Sequence, residues 1–223
     1  LVYILFWGMT GIYNPFMNVH FARLGLSAQQ VGFFATMSPM VTLLAGPLLS
    51  ALADRRACRT WILAGTLIGL AITLSLLGIP NTFAGLLPLV LLMSIFFSPI
   101  TSIADSLIAR MSTVHSLNYG NLRLWGSLSA SVIATICGVI WQRVGFAPMF
   151  ATAAVMTLPV ALIAFGLDKE QACAHTERAP LRAVLGDPGL KAILLATFFI
   201  GLGMQTIFIF GGMYMDDLGG GEF

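Results

Sequence analysis

Apolar residues in this chain fall in long runs rather than in short alternating ones. Seven runs can be marked: Leu1 to Ala22, Ala28 to Leu52, Trp61 to Ile79, Phe83 to Arg110, Asn121 to Trp141, Phe146 to Leu167 and Leu190 to Tyr214. A helix needs about 20 apolar residues to cross a hydrocarbon core of about 30 Å, whereas a tilted strand needs about ten. The two-residue alternation of a membrane barrel is absent. In lipid only helices and closed barrels satisfy every backbone polar group. The pattern therefore predicts an all-α protein whose runs are membrane helices.

The interruptions carry turn chemistry. Leu24-Gly25-Leu26-Ser27 ends the first run, with Ser27 placed to cap the second. Pro80-Asn81 separates the third and fourth runs, and Val144-Gly145 the fifth and sixth. The longest polar stretch, Asp168 to Pro188, holds Lys169, Glu170, His175, Glu177, Arg178, Arg182 and Asp187 and reads as a central loop. When Leu24-Gly25 is set against Leu218-Gly219, His20 meets Tyr214 and Arg23 meets Asp217. The period of that repeat equals six helices plus the loop, as two six-helix halves would give. The expected organisation is a bundle over 1–167, a cytoplasmic loop over 168–189, and the first helix of a truncated second bundle over 190–223. About five further helices would then lie outside the chain.

Composition supports the membrane reading. Of 223 residues 58% are hydrophobic and 9% charged, against about 25% charged in a soluble domain. The net charge of +2 is small, and no run of Lys or Arg suggests a nucleic-acid partner. Cys58, Cys137 and Cys173 form no CxxC pair, and no His sits at ligand spacing, so no metal, cofactor or disulfide framework is expected. The first run leads into Asn18, His20 and Arg23 without an A-x-A cleavage site. Charge placement gives an orientation. With the N-terminus in the cytoplasm, Arg55, Arg56, Arg59, Arg110, Arg123, Lys169, Arg178, Arg182 and Lys191 fall inside, and Arg23 and Arg143 outside.

Several segments carry a family likeness. Ser50-Ala51-Leu52-Ala53-Asp54-Arg55-Arg56-Ala57-Cys58-Arg59 resembles the cytoplasmic loop signature G-x-L-x-D-R-x-G-R-[RK] of the major facilitator superfamily. Leu52, Asp54, Arg55 and Arg59 match it, while Ser50, Ala57 and Cys58 depart from it. Tyr119-Gly120-Asn121-Leu122-Arg123-Leu124-Trp125-Gly126-Ser127 is similar to the Y-G-x-x-R-x-W-G-S segment of the branch near phenylpropionate, nucleoside and lactose permeases. So is the segment from Leu24 to Gly32. The resemblance implies a twelve-helix carrier working by the rocking of two bundles, of which this chain is the N-terminal bundle plus the seventh helix. It implies that Asp54 helps hold the cytoplasmic side closed. Arg55 and Arg59 would join that gate or act as topology anchors that meet anionic lipid.

Polar residues inside the runs locate a candidate site. A charge at mid-bilayer costs about 2.5 to 3.5 kcal/mol on insertion scales and so faces the bundle interior. Asp105 lies about 7 Å along the helix axis from Arg110, and Ser94, Ser98, Thr101 and Ser102 precede it at helical spacing. Arg123, Ser127, Ser131 and Thr135 step by four along the next helix. Asp105 and Arg123 are expected to pair across a water-filled cavity; alternatively Asp105 pairs with Arg110 or orients the backbone. Thr10, Asn14 and Asn18 form a stripe on the first helix, and a carbonyl freed by Pro15 offers a ligand contact. Asn14 and Asn18 are assigned to the solute path, and Thr10, Gly126, Ser127 and Ala130 to packing. In the seventh helix Thr197, Gly201 and Gln205 repeat the pattern, with Gln205 the cavity candidate. His20 is read as an interfacial residue near the outer end of the first helix, and Trp61 and Trp141 as aromatic-belt residues.

The leading reading is secondary active transport of a small organic solute across a bacterial-type inner membrane, driven by protons. No G-x-x-x-x-G-K-[ST] nucleotide motif is present. An intramembrane enzyme would need a catalytic set such as H-E-x-x-H or G-x-S-x-G, and neither occurs. A receptor or scaffold that keeps the carrier fold without transport is the alternative.

Overall fold

The computed structural model describes residues 2–55, 59–114, 118–165 and 188–218. Among them are eight helices and no strand: α1 Val2–Tyr13, α2 Met17–Arg23, α3 Ala28–Arg55, α4 Arg59–Leu77, α5 Phe83–Val114, α6 Tyr119–Val144, α7 Met149–Phe165 and α8 Pro188–Asp217. Segments of α3, α5, α6 and α8 are long and apolar enough to cross a membrane, and Trp61–Leu77 and Met149–Ala164 are shorter apolar helices. The expected turns form as their residues dictate. Ser27 Oγ accepts from Gln30 N at 3.3 Å while Gln30 Oε1 accepts from Ser27 N at 2.9 Å, a reciprocal cap at the start of α3. Gly25 and Gly145 adopt φ of +87° and +82°, where a side chain would be strained.

The first apolar run is two helices, not one. Pro15 lacks the N–H that would close on the Gly11 carbonyl. Phe16 N then bonds to Tyr13 O at 3.1 Å instead of reaching back to Ile12. The helix resumes with His20 N on Phe16 O at 2.9 Å. The Ile12 carbonyl so released accepts from Trp141 Nε1 on α6 at 3.1 Å. This corrects one expectation: Trp141 is 4% exposed and sits in the core rather than in an aromatic belt. Trp61 is exposed, as a belt residue would be.

Helix pairing follows the small residues. α1 lies along α6 and α7, α4 along α5 and α7, and α3 along α5. At the α1–α6 seam, Gly8 faces Ile133 and Ser129, Gly11 faces the Ala130 backbone, and Ser129 Oγ donates to Ile4 O at 2.8 Å. At the α3–α5 seam Ser98 Oγ donates to Thr42 O at 2.9 Å, and Gly46 leaves room for it. Close backbone approach of this kind replaces the hydrophobic effect as the cohesive force in lipid. Leu67, Leu70, Leu74 and Leu77 of α4 and Phe150 and Ala153 of α7 fill the core beside Phe6, Met9 and Tyr13 of α1.

α8 stands apart. It packs on α2, and most of its described side chains are exposed. α2 and α8 end at Arg23 and Asp217, the residues that the internal repeat sets opposite one another. Their last turns close alike, with Leu24 N on His20 O at 3.0 Å and Leu218 N on Tyr214 O at 3.2 Å. α8 already begins at Pro188, two residues inside the expected loop, whose residues 168–187 lie outside the described residues.

Candidate functional site

Three helices bring their ends together where α1 begins, α5 nears its end and α6 begins. Gly126 of α6 makes the approach possible. A Cβ there would overlap Tyr3 Cε1 and stand 2.9 Å from Trp7 Cδ1. The Tyr3 ring lies in this notch and its hydroxyl donates to Asp105 Oδ1 of α5 at 3.2 Å. One turn along α1, Trp7 meets Tyr3 edge-on with ring centroids 6.0 Å apart. The Trp7 indole N–H is buried without a hydrogen-bond partner. Tyr119, at the start of α6, accepts from Arg123 Nη1 at 3.2 Å. Arg123 is exposed and within electrostatic reach of Asp105 and Tyr3.

Asp105 and Arg123 thus both lie near Tyr3, where α5 nears its end and α6 begins, but they form no ion pair among the described residues. Tyr3 holds the carboxylate, and the Arg110 side chain lies outside the described residues. Along α6, Ser127, Ser131 and Thr135 continue exposed from Arg123. Ser127 is thus exposed within this chain, unlike Gly126 beside it. Gly126 and Ala130 do serve packing, and Thr10 is buried with its hydroxyl donating to Trp7 O at 2.7 Å. The α5 stripe divides. Ser94 and Ser98 are buried and bonded to Val90 O and Thr42 O, and Ser102 is exposed beside Asp105.

The other candidates lie elsewhere. Asn14 is exposed at the break between α1 and α2. Asn18 is at the far end of the bundle, where its Nδ2 donates to Ile209 O of α8 at 3.1 Å. It thus ties α2 to α8. His20 is half-buried between Phe146 and Phe150, with ring centroids 5.8 and 5.4 Å away. Arg23 lies over the Phe146 ring at 5.1 Å. Asp54 and Arg55 end α3 and Arg59 opens α4, but their side chains, like that of Gln205 in α8, lie outside the described residues. Tyr3, Trp7 and Tyr119 escaped the sequence reading. The signal was present: the Thr10 and Asn14 stripe, continued backwards at helical spacing, passes through Trp7 and Tyr3.

Known proteins show the same architecture. The chain is 26% identical over 223 residues to a maltose permease of Geobacillus stearothermophilus, covering 99% of this chain and 57% of that protein. It is 20% identical over 228 residues to the putative nucleoside transporter YegT of Escherichia coli, covering 96% of this chain and 53% of that protein. The chain therefore spans about half the length of the curated relatives it matches. The crystal structure of the nucleoside transporter NupG superposes with a TM-score of 0.74 at 14% identity, over 96% of this chain and 56% of that one. These relatives are transporters and not enzymes. The fold is a six-helix bundle of the major facilitator type followed by the seventh helix. The model of the MFS_1-like family matches residues 1–223, and the chain belongs to that family.

Proposed function

We propose that the full-length protein is a secondary active transporter that moves a small hydroxylated solute by alternating access, coupled to protons through Asp105. The carrying observation is a carboxylate and a guanidinium, Asp105 and Arg123, near one another on long apolar helices where α1, α5 and α6 meet, with Arg123 exposed. Such residues are costly in a bilayer unless they face a wet interior. Their opposite charges leave the site neutral overall, which suits a neutral solute offering both donors and acceptors. The relatives' names, a maltose permease and nucleoside transporters, point to the same chemical class. A carboxylate whose exposure changes between two states of the carrier can take a proton on one side and release it on the other.

On this reading residues 1–167 form the N-terminal bundle, 168–189 the cytoplasmic loop, and 190–223 open the second bundle. Asn14 borders the solute path, and Gln205 faces it from the second bundle. Asp54, Arg55 and Arg59 gate the cytoplasmic side, and the two arginines meet anionic lipid there. The protein lies in a bacterial inner membrane with its N-terminus in the cytoplasm.

The test uses the full-length protein in proteoliposomes with an imposed proton gradient, supplied with labelled maltose or a labelled nucleoside. Wild type is expected to accumulate one of them. Asp105→Asn is expected to lose uphill accumulation while retaining exchange. Accumulation by that variant at the wild-type level would refute proton coupling through Asp105.

A further inference from the structure

Asp105 meets a neutral donor although a cation lies near enough to feel its charge. The Tyr3 hydroxyl bonds to Oδ1 at 3.2 Å, while Arg123 turns to Tyr119 at 3.2 Å. Nothing in the chemistry of the two ions favours this. A carboxylate and a guanidinium pair with two parallel hydrogen bonds when free to do so. The helices arrange otherwise. Gly126 lies one turn beyond Arg123 on α6, and its missing side chain admits the Tyr3 and Trp7 rings. Trp7 packs against Tyr3 from one side, and Phe6 packs against Trp7 at 5.6 Å. The phenol is thus held in place by neighbours on its own helix and by a notch on the next.

We propose that Tyr3 is the positioning residue of the site: its hydroxyl occupies one oxygen of Asp105, keeps that carboxylate from closing onto Arg123, and leaves the guanidinium open. The ligand that an open guanidinium beside a held carboxylate would take is a hydroxyl-bearing solute, and this last clause rests on the function proposed above. The positioning itself does not. The device has a simple logic. A closed Asp105–Arg123 pair would have to be broken for each solute molecule bound, whereas a carboxylate held by a phenol leaves Arg123 with one weak neutral partner.

The experiment reads Arg123 directly, with phenylglyoxal as the probe and peptide mass mapping as the readout, in the full-length protein. In Tyr3→Phe, Asp105 is released to pair with Arg123, and the rate of modification at Arg123 is expected to fall about threefold to tenfold, as loss of a hydrogen bond to a charged group would allow. In Asp105→Asn the rate is expected to hold or rise. The double variant is expected to match Asp105→Asn, because no carboxylate remains to close the pair. A general packing defect would not be repaired by the second substitution. Gly126→Ala, which displaces the ring but keeps the hydroxyl, is expected to act in the same direction as Tyr3→Phe and serves if that variant does not fold. An unchanged Arg123 rate in Tyr3→Phe, or a fall that persists in the double variant, would overturn the positioning role. If the labelling follows expectation but Asp105→Asn accumulates solute as wild type does, proton coupling through Asp105 fails and the positioning stands.

Discussion

Two glycines on facing helices set the geometry around Tyr3, and their effects can be told from those of glycines that meet nothing. A Cβ at Gly11 would stand 2.5 Å from the Ala130 carbonyl oxygen, a backbone atom that cannot move alone. Overpacking of this kind costs about 1–3 kcal/mol. Gly65 on α4 has nothing within 4 Å of the same position. Gly11→Ala is therefore expected to lower the thermal midpoint of the purified full-length protein in detergent, and Gly65→Ala to leave it equal or higher, since alanine is the better helix former. Equal midpoints would mean that the α1–α6 seam is looser than it is drawn here. Gly126 belongs with Gly11 in this respect, but its cost falls on Tyr3 and so on Asp105. The residue scale thus joins packing to chemistry: one missing side chain on α6 decides which partner a carboxylate on α5 receives.

At the scale of the element, the first membrane segment is the instructive case. A proline in a long apolar run frees carbonyls, and in lipid each must find a donor within the protein. Trp141 supplies one for Ile12 from α6. Trp141→Phe keeps an aromatic side chain, though a smaller one, and removes the N–H that Ile12 O accepts. Interhelical hydrogen bonds in membranes are worth about 0.6 to 2 kcal/mol, so the thermal midpoint is expected to fall. Added Pro15→Ala should recover most of the loss by letting α1 and α2 join into one helix that uses its own carbonyls. If the double variant is no more stable than Trp141→Phe, the indole N–H is not what compensates the break. The break also separates two kinds of work. α1 carries Tyr3 and Trp7 to the ionisable site, while α2 carries Asn18 to α8 at the opposite end.

The whole molecule is read through charge placement and through its contact with α8. Basic residues cluster on the side where α3 ends and α4 begins, where α5 ends and α6 begins, and before α8. The opposite side, with Gly25, Asn81 and Gly145, is predicted to face outward. In otherwise cysteine-free full-length protein, Asn81→Cys is expected to react with an impermeant maleimide on intact cells. Cys58, retained alone, is expected to react only after permeabilisation. The reverse pattern would invert the topology and move Asp105 to the outer half of the membrane. α8 rests on the bundle through α2, with the Asn18 amide on the Ile209 carbonyl, and its large apolar residues stand exposed.

Run length, turn residues and the scarcity of charge determined that this is a helical membrane protein, because a bilayer imposes length and apolarity on every segment that crosses it. They also marked Asp105 and Arg123, since an ion inside an apolar run is costly enough to stand out in a one-dimensional pattern. What one dimension could not carry was partnership between helices. The stripe on α5 read as one polar face, yet Ser94 and Ser98 are buried in a crossing and Ser102 is not. Trp141 read as a belt residue and caps a broken helix, and Asn18 read as a path residue and ties α2 to α8. Tyr3 was one aromatic residue among many until Gly126 placed it on Asp105. Only the tertiary structure decided these, because a hydrogen bond between helices depends on their relative depth and rotation, which sequence spacing within one helix does not record.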